Sequence, residues 1–525
     1  MKRQWLSAAG LVVAVPAILG SPSAGVSAPA APFAFGVEYM VPGLAEIYAA
    51  TGATWAKAAP AGFDWGTIEP KPPENGHHIY DFTVPDALIR EYQNAGFRNF
   101  HIYLQCRNPW ATSTPLRAFG HASFPPKPEY LDDYAAYVRA MVERYDADGK
   151  EDMPGLLYPV RYWEIEAEWG TFWPAGIPEY LDLLRVARRA AREADAQAQV
   201  ILQGFLLWGI FEGNPDEGEL QRRLADPKFG RGRRKLLSGI AEVLGYPSLF
   251  DAVEYHSLSD WTEVFGTVRY LREQMRRHGY EKPIWAGDVN FSINPMLWWG
   301  QPNYPYTPDQ KNEILKWLAA MKNASSPLHA QAEKWFRAEQ ARFTAKKLIS
   351  CMGEGLAGIN MGNLEDWEVF SILPAVTGTG GFCGLIDRKP PRRMDEPRRP
   401  GQPRPAYWTM KLIIEKLGGC HNPQRLSGLG KNVYAWRFKG PDAQGTTLPV
   451  STIALWYEPP RGLLPGQPLP SADVELETAA RRVVITPIVT EIGQTRAPAT
   501  VQNPRKGRIS LRIGPAPVII EEIAQ

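Results

Sequence analysis

Three glutamates alternate with other residues in Trp163-Glu164-Ile165-Glu166-Ala167-Glu168-Trp169, at the end of an apolar run that begins near Pro159. In an extended strand alternate side chains share a face, so the spacing predicts Glu164, Glu166 and Glu168 on one side. Carboxylates crowded onto one face of an apolar strand repel one another and lose hydration. Two environments tolerate that: a polar cavity that binds or protonates a ligand, or an internal ion-pair network. Asp288 closes another apolar run, Pro283–Val289. Two facing carboxyls can cleave a glycosidic bond, one protonating the leaving oxygen while the other attacks or activates water.

The elements that would hold these acids can be read along the chain. Eight β-type runs occur, at Phe33–Tyr39, Ala53–Ala58, Phe97–Cys106, Val160–Glu168, Val200–Trp208, Phe250–Leu258, Pro283–Val289 and Leu356–Asn363. Helical patches lie between them, such as Pro85–Ala95 and Pro178–Ala194, and Ala406–Leu417 closes the series before Gly418-Gly419. Alternating β and α segments predict an α/β fold, a (β/α)8 TIM barrel over residues 31–420. An open doubly wound sheet is the competing architecture, but no glycine-rich phosphate loop follows the first strand. From residue 421 to 525 short β runs are separated by proline and glycine turns, which predicts a small antiparallel β-sandwich domain.

The ends of the chain and its composition narrow the setting. Lys2 and Arg3, the apolar stretch Leu11–Leu19 and the small residues up to Ala30 have the layout of a signal peptide over residues 1–30. Cleavage is expected between Ala24 and Ala31, giving a secreted protein. The apolar stretch is well short of the roughly 20 residues of a membrane span, and no other span is expected. With 58 basic against 56 acidic residues there is no charge bias toward nucleic acid. Four cysteines permit one or two bridges without defining a pairing. The 18 tryptophans are more informative, because those in loops can stack on a flat ligand.

Barrel sites form at the C-terminal ends of strands, which collects Glu38, Lys57, Glu166, Glu168, His256, Asp288, Asn363, Glu365 and Asp366. His256 is alone among them, so no metal site and no cofactor are expected. The segment Asp146–Asp152 has a calcium-loop flavour but an incomplete ligand set, and reads as a hydrophilic turn. Glu164 and Glu254 are expected deeper, as internal polar contacts, with Glu164 paired to Arg161 or Lys57. Each mouth residue also has a structural reading, such as an ion pair of Glu168 with Lys57 or Arg161, or a satisfied core histidine at His256.

The stretch "YWEIEAEW" resembles the tryptophan–glutamate–isoleucine–x–asparagine–glutamate–proline stretch of clan A glycoside hydrolases, especially family 39-like and family 5-like barrels. "FDWGTIEPKPPENGHHIYDFTVPDALI", "FDAVEYHSLSDW" and "KPIWAGDVN" resemble their second, sixth and seventh segments, and "GRISLRIGPAPVIIEEI" their accessory β-sandwich. The resemblance implies a carbohydrate substrate, with Glu168 as acid/base and Asp288 as nucleophile. Around them it and the loop aromatics suggest a substrate-binding set of Lys57, Glu166, His256, Trp110, Trp169, Trp298 and Asn363, with Trp173 and Trp299 as further loop aromatics. Glu166 is expected to keep Glu168 partly protonated. Two positions depart from the family pattern. Ala167 stands where an asparagine holds the sugar 2-hydroxyl, and Asp288 stands where a glutamate is usual. The shorter side chain predicts a carboxyl gap widened by roughly a bond length, toward the inverting range. The same departures suit a lapsed barrel that binds glycan without cleaving it, and a lyase could use the same acids. Sugar, linkage and oligomeric state are not readable.

Overall fold

The computed structural model describes residues 32–59, 61–112, 123–169, 173–207, 209–289, 301–362, 364–366, 382–389, 398–441 and 449–523. The signal-peptide expectation, Trp298, Trp299 and Asn363 therefore lie outside the described residues. Eight parallel strands close into a barrel in sequence order: β1 (Ala34–Glu38), β2 (Trp55–Lys57), β3 (Asn99–Leu104), β4 (Tyr162–Trp169), β5 (Gln199–Leu206), β6 (Val253–His256), β7 (Ile284–Val289) and β8 (Gly358–Met361). All eight fall within or beside the runs expected from sequence. Their outward residues, among them Val37, Trp163, Ile165, Val253, Tyr255, Ala286 and Val289, join the large core beneath the surrounding helices.

The helices are α1 (Ala45–Ala49), α2 (Trp65–Ile68), α3 (Thr83–Asn94), α4 (Leu131–Glu143), α5 (Ile177–Ala194), α6 (Glu217–Ala225), α7 (Gly230–Leu244), α8 (Glu263–Arg277), α9 (Lys311–Lys322), α10 (His329–Gly353) and α11 (Pro405–Leu417). Helix α5 shows why the pattern was legible. Tyr180, Leu181, Leu184, Ala187 and Ala191 are buried at helical spacing, and Pro178 sits in the first turn, where a missing N–H does no harm.

Strands β9 (Ile386–Lys389) and β10 (Arg399–Pro403) pair with each other, and from His421 onward the described strands are antiparallel. A six-stranded sheet has the order β11 (His421–Arg425), β12 (Val433–Lys439), β13 (Pro449–Tyr457), β18 (Val518–Ile523), β15 (Arg482–Pro487) and β16 (Thr500–Gln502). A second pair joins β14 (Ala472–Glu477) to β17 (Arg508–Ile513). Period-two alternation divides β12 and β13 between two cores. Ala435, Ile453 and Leu455 face Val474, Leu476 and Ile509 in the sandwich. Trp436 and Trp456 face the other way, and Trp456 lies 5.1 Å from Trp261 at the barrel side. Gly353 at the end of α10 leaves room for the Trp436 ring, which a Cβ there would meet at 2.5 Å. A buried ion pair, Lys346 Nζ to Glu458 Oε2 at 2.6 Å, also ties α10 to the residue that follows β13. Cys106, Cys351 and Cys420 carry buried free thiols rather than bridges.

Candidate active site

Inside the barrel, side chains form three layers. The lowest is aromatic and apolar: Trp55 packs 4.7 Å from both Tyr162 and Trp285, with Ile201 and Ala252 alongside. The middle layer is charged and sealed from water. Lys57 Nζ lies 2.9 Å from Glu164 Oε2, forms an ion pair with Glu254 Oε1 and sits 4.7 Å above the Tyr103 ring. His101 Nε2 is 3.1 Å from both Glu164 Oε2 and Glu254 Oε2. The amide of Asn360 is 3.4 Å from His101 Nδ1. Burial disfavours the Lys57 charge, but Glu164 and Glu254 outweigh it and hold the ammonium above the usual lysine range. The two glutamates diverge. Burial raises both, yet Lys57, His101 and His256 together pull Glu254 below the usual range, while its charge pushes Glu164 up.

The upper layer is the mouth, built from Glu38, Glu168, His256 and Asp288 at the C-terminal ends of β1, β4, β6 and β7. His256 Nδ1 is 2.8 Å from Glu168 Oε2, and its Nε2 faces Glu254 Oε1 at 3.3 Å. Tyr39 donates to Asp288 Oδ2 at 3.3 Å, while Asp288 Oδ1 is buried without a hydrogen-bond partner among the described residues. Burial, with a smaller contribution from the Glu168 and Glu254 charges, raises the Asp288 carboxyl. Burial and the Asp288 charge hold Glu38 well above the carboxylate range, and neither of its oxygens has a hydrogen-bond partner among the described residues. For His256, burial opposes the charged form but the Glu168 and Glu254 carboxylates prevail, holding the imidazolium well above the usual histidine range.

One donor atom each from Glu168, His256 and Asp288 lie within 4.8 Å of one another. An oxygen of Glu168 and an oxygen of Asp288 thus lie no more than 4.8 Å apart, so the two carboxyls face the same small space. The backbone bears on how Asp288 reaches this position. Register slips between Tyr255↔Ala286 and His256↔Asp288, and again between Ala286↔Ile359 and Val289↔Met361, so β7 carries an extra residue at Gly287–Asp288.

A second bulge corrects the expectation of three glutamates on one face. Between Ile165↔Leu202 and Glu168↔Gly204 strand β4 has one residue more than β5, and Glu166 adopts φ +68°. Glu166 is turned away and accepts the Cys106 backbone N–H at 2.7 Å; burial raises its carboxyl to about 7. The neighbour of Glu168 is thus His256, not Glu166. Glu164 stays inward, paired with Lys57 rather than Arg161, whose partner is Asp195.

Other expectations are also revised. Lys57 is fully buried among Glu164, Glu254 and Tyr103, so it braces the mouth from below instead of meeting a sugar. Trp110 packs edge-on against Trp65 and Tyr130 and donates its N–H to the Glu69 carbonyl, all among core groups. Trp169 ends β4 on the outward face, against Tyr180 and Phe205, and with Trp173 lines a cavity of about 660 Å³ beside α5 and α7. Asp366 pairs with Arg404 at 2.6 Å, and Glu365 lies 3.9 Å from Arg398. Tyr39 and Glu254 were not singled out by sequence as site residues. A tyrosine directly after a strand-end glutamate, and an acid two residues before His256, were the available signals.

The donor groups do not suit a metal. In the middle layer the Lys57 ammonium already occupies the space between the carboxylates. In the mouth both His256 nitrogens face carboxylates, leaving no imidazole lone pair for an ion. In the Asp146–Asp152 turn the carboxylates accept the local amides of Ala147, Asp148, Gly149 and Lys150.

No protein-family model and no curated protein sequence matches the chain. Solved structures do. A family 39 glycoside hydrolase from the gut symbiont Bacteroides cellulosilyticus WH2 superposes with a TM-score of 0.56 at 14% identity, over 94% of this chain and 81% of that one. A glucosidase from Croceicoccus marinus gives 0.54 at 11% identity, over 94% and 96%. A monomeric beta-xylosidase from Caulobacter crescentus CB15 gives 0.52 at 14%, over 94% and 98%. At these identities the likeness is one of fold: the chain has the TIM-barrel architecture of glycoside hydrolases, with C-terminal antiparallel sheets.

Proposed function

We propose that the chain is a secreted glycoside hydrolase that cleaves a β-linked saccharide with retention of configuration, using Glu168 and Asp288. The approach of the two carboxyls within 4.8 Å carries this reading, and the glycosidase fold of its structural neighbours supports it. Glu168 gives its proton to the glycosidic oxygen while the Asp288 carboxylate attacks the anomeric carbon. The carbon–oxygen bond breaks and a glycosyl ester forms on Asp288. Water then attacks that ester, Glu168 takes the water's proton, and Asp288 is released as carboxylate. Tyr39 orients Asp288 through its hydroxyl. The 2-hydroxyl finds no side-chain amide at Ala167, so transition-state binding there falls to other groups.

Ala167 also favours a second reading, a lapsed barrel that binds polysaccharide without hydrolysis. Hydrolysis of aryl β-glycosides by wild type, Asp288→Glu and Asp288→Ala separates the two. The hydrolase reading expects turnover by wild type and its loss in Asp288→Ala. The binding reading expects no turnover by any of the three, with glycan binding retained.

A further inference from the structure

The mouth contains a carboxylate–imidazole–carboxylate array that the two-carboxyl mechanism leaves unused. His256 lies between Glu168 Oε2, 2.8 Å from Nδ1, and Glu254 Oε1, 3.3 Å from Nε2. The chain is cut to fit this array. A Cβ on Gly204 would fall 1.9 Å from His256 Nε2, and one on Gly287 would fall 1.7 Å from the Glu254 carboxyl carbon. Glu254 is itself held by Lys57 and His101. Two carboxylates, from β4 and β6, and two glycines, from β5 and β7, thus hold one imidazole against the residue proposed to move protons.

We propose that Glu254 is a positioning residue for proton transfer at Glu168, acting through His256. The inference rests on the acid/base role of Glu168. Glu254 Oε1 stands 3.3 Å from Nε2 without an aligned hydrogen bond among the described residues, so it acts on the ring through its charge, favouring the doubly protonated imidazole whose Nδ1–H meets Glu168 Oε2. One proton is shared along the Nδ1···Oε2 contact. In the first step that proton sits on Glu168 and passes to the leaving oxygen. In the second, the proton taken from water returns to the same pair, so no outside acid or base is needed and the balance closes.

The groups around His256 explain why the array holds its proton. Glu168 faces it from β4, Glu254 from its own strand, Asp288 from β7 and Glu38 from β1, while β5 contributes only Gly204. Lys57 lies beyond Glu254 and opposes them. Carboxyls outnumber cations, so the imidazolium is favoured despite its burial.

The test combines a measurement that needs no activity with one that does. In wild type labelled with 15N-histidine, the His256 signal, assigned by its loss in His256→Gln, should show both nitrogens protonated above the ordinary titration range. Glu254→Gln should lower the proton affinity of His256 by about tenfold or more, the loss of one close opposite charge. The alkaline limb of kcat/KM should move to lower pH by the same factor, with KM nearly unchanged at the optimum. Because Glu254 also pairs with Lys57, the Lys57→Met/Glu254→Gln double variant provides the same readings if the single variant folds poorly. An ordinary His256 titration in wild type would overturn the proposal, as would a limb unmoved in either variant. Should wild type hydrolyse nothing while the titration behaves as described, the assigned function fails and the array stands.

Discussion

Gly287 and Glu254 occupy the same space: a methyl group at residue 287 would lie 1.7 Å from the Glu254 carboxyl carbon. The bulge that advances Asp288 into the mouth therefore also provides the gap into which the charged layer rises. Gly204 has the same relation to His256, at 1.9 Å.

Gly287→Ala should consequently be worse than an ordinary glycine substitution. Overpacking in a dense interior costs about 1–3 kcal/mol, occasionally more, and here the displaced group is a buried charge. The expected result is a clear drop in melting temperature with a fall in kcat. Gly232→Ala, at an exposed glycine of α7 with open space around it, serves as the control and should leave kcat unchanged. Wild-type kcat and stability in Gly287→Ala would show that the fit is unimportant.

Lys57→Met should destabilise the fold by roughly 3–5 kcal/mol, because it leaves Glu164 and Glu254 uncompensated in the barrel interior. Chemical denaturation of both proteins measures this directly. A loss below about 1 kcal/mol, the size of an exposed ion pair, would mean that water reaches the layer.

How much of this was visible in the sequence differs by element. The eight strands and α5 were legible because their apolar periodicity is local. An internal pairing of Glu164 was legible, with Arg161 or Lys57 as partner, and the structure selects Lys57, whose side chain also points into the barrel. What could not be read was the backbone's departure from strict alternation. A single positive φ at Glu166 moves that carboxyl from the mouth to the Cys106 amide. The extra residue at Gly287–Asp288 shifts where that carboxyl leaves its strand. Trp169 misled for a related reason: it reads as a loop aromatic but is the last outward residue of β4. Bulges are set by pairing with neighbouring strands, so a strand's own sequence does not announce them.

Alkaline pH should weaken the fold. Glu38 and His256 both have folded values above their ordinary 4.5 and 6.5. Each contributes stability that is present below the ordinary value and lost as pH rises through the raised one. Melting temperature should thus fall steadily from neutral pH upward. Glu38→Gln, a neutral isostere, should flatten that decline and raise the melting temperature at neutral pH, with little effect in acid. A decline as steep as that of wild type would remove Glu38 from the account.

Glu168→Gln should nearly abolish hydrolysis of saccharides with basic leaving groups while sparing activated aryl glycosides far more. Proton donation matters most where the departing oxygen is basic, and such assistance contributes about 10²–10⁴-fold. Kinetics across a leaving-group series gives the comparison. Equal losses on both substrate types would argue against proton transfer by this residue.

The central claim is that Asp288 forms a bond to the sugar, and it can be observed directly. A 2-deoxy-2-fluoro β-glycoside with an activated leaving group slows release of a glycosyl ester more than its formation. Mass spectrometry of the digested protein should then find one fluoroglycosyl group on the peptide containing Asp288, and none after treatment of Asp288→Ala. A label on another carboxylate, or no label on a wild-type enzyme that hydrolyses the parent glycoside, would contradict the account.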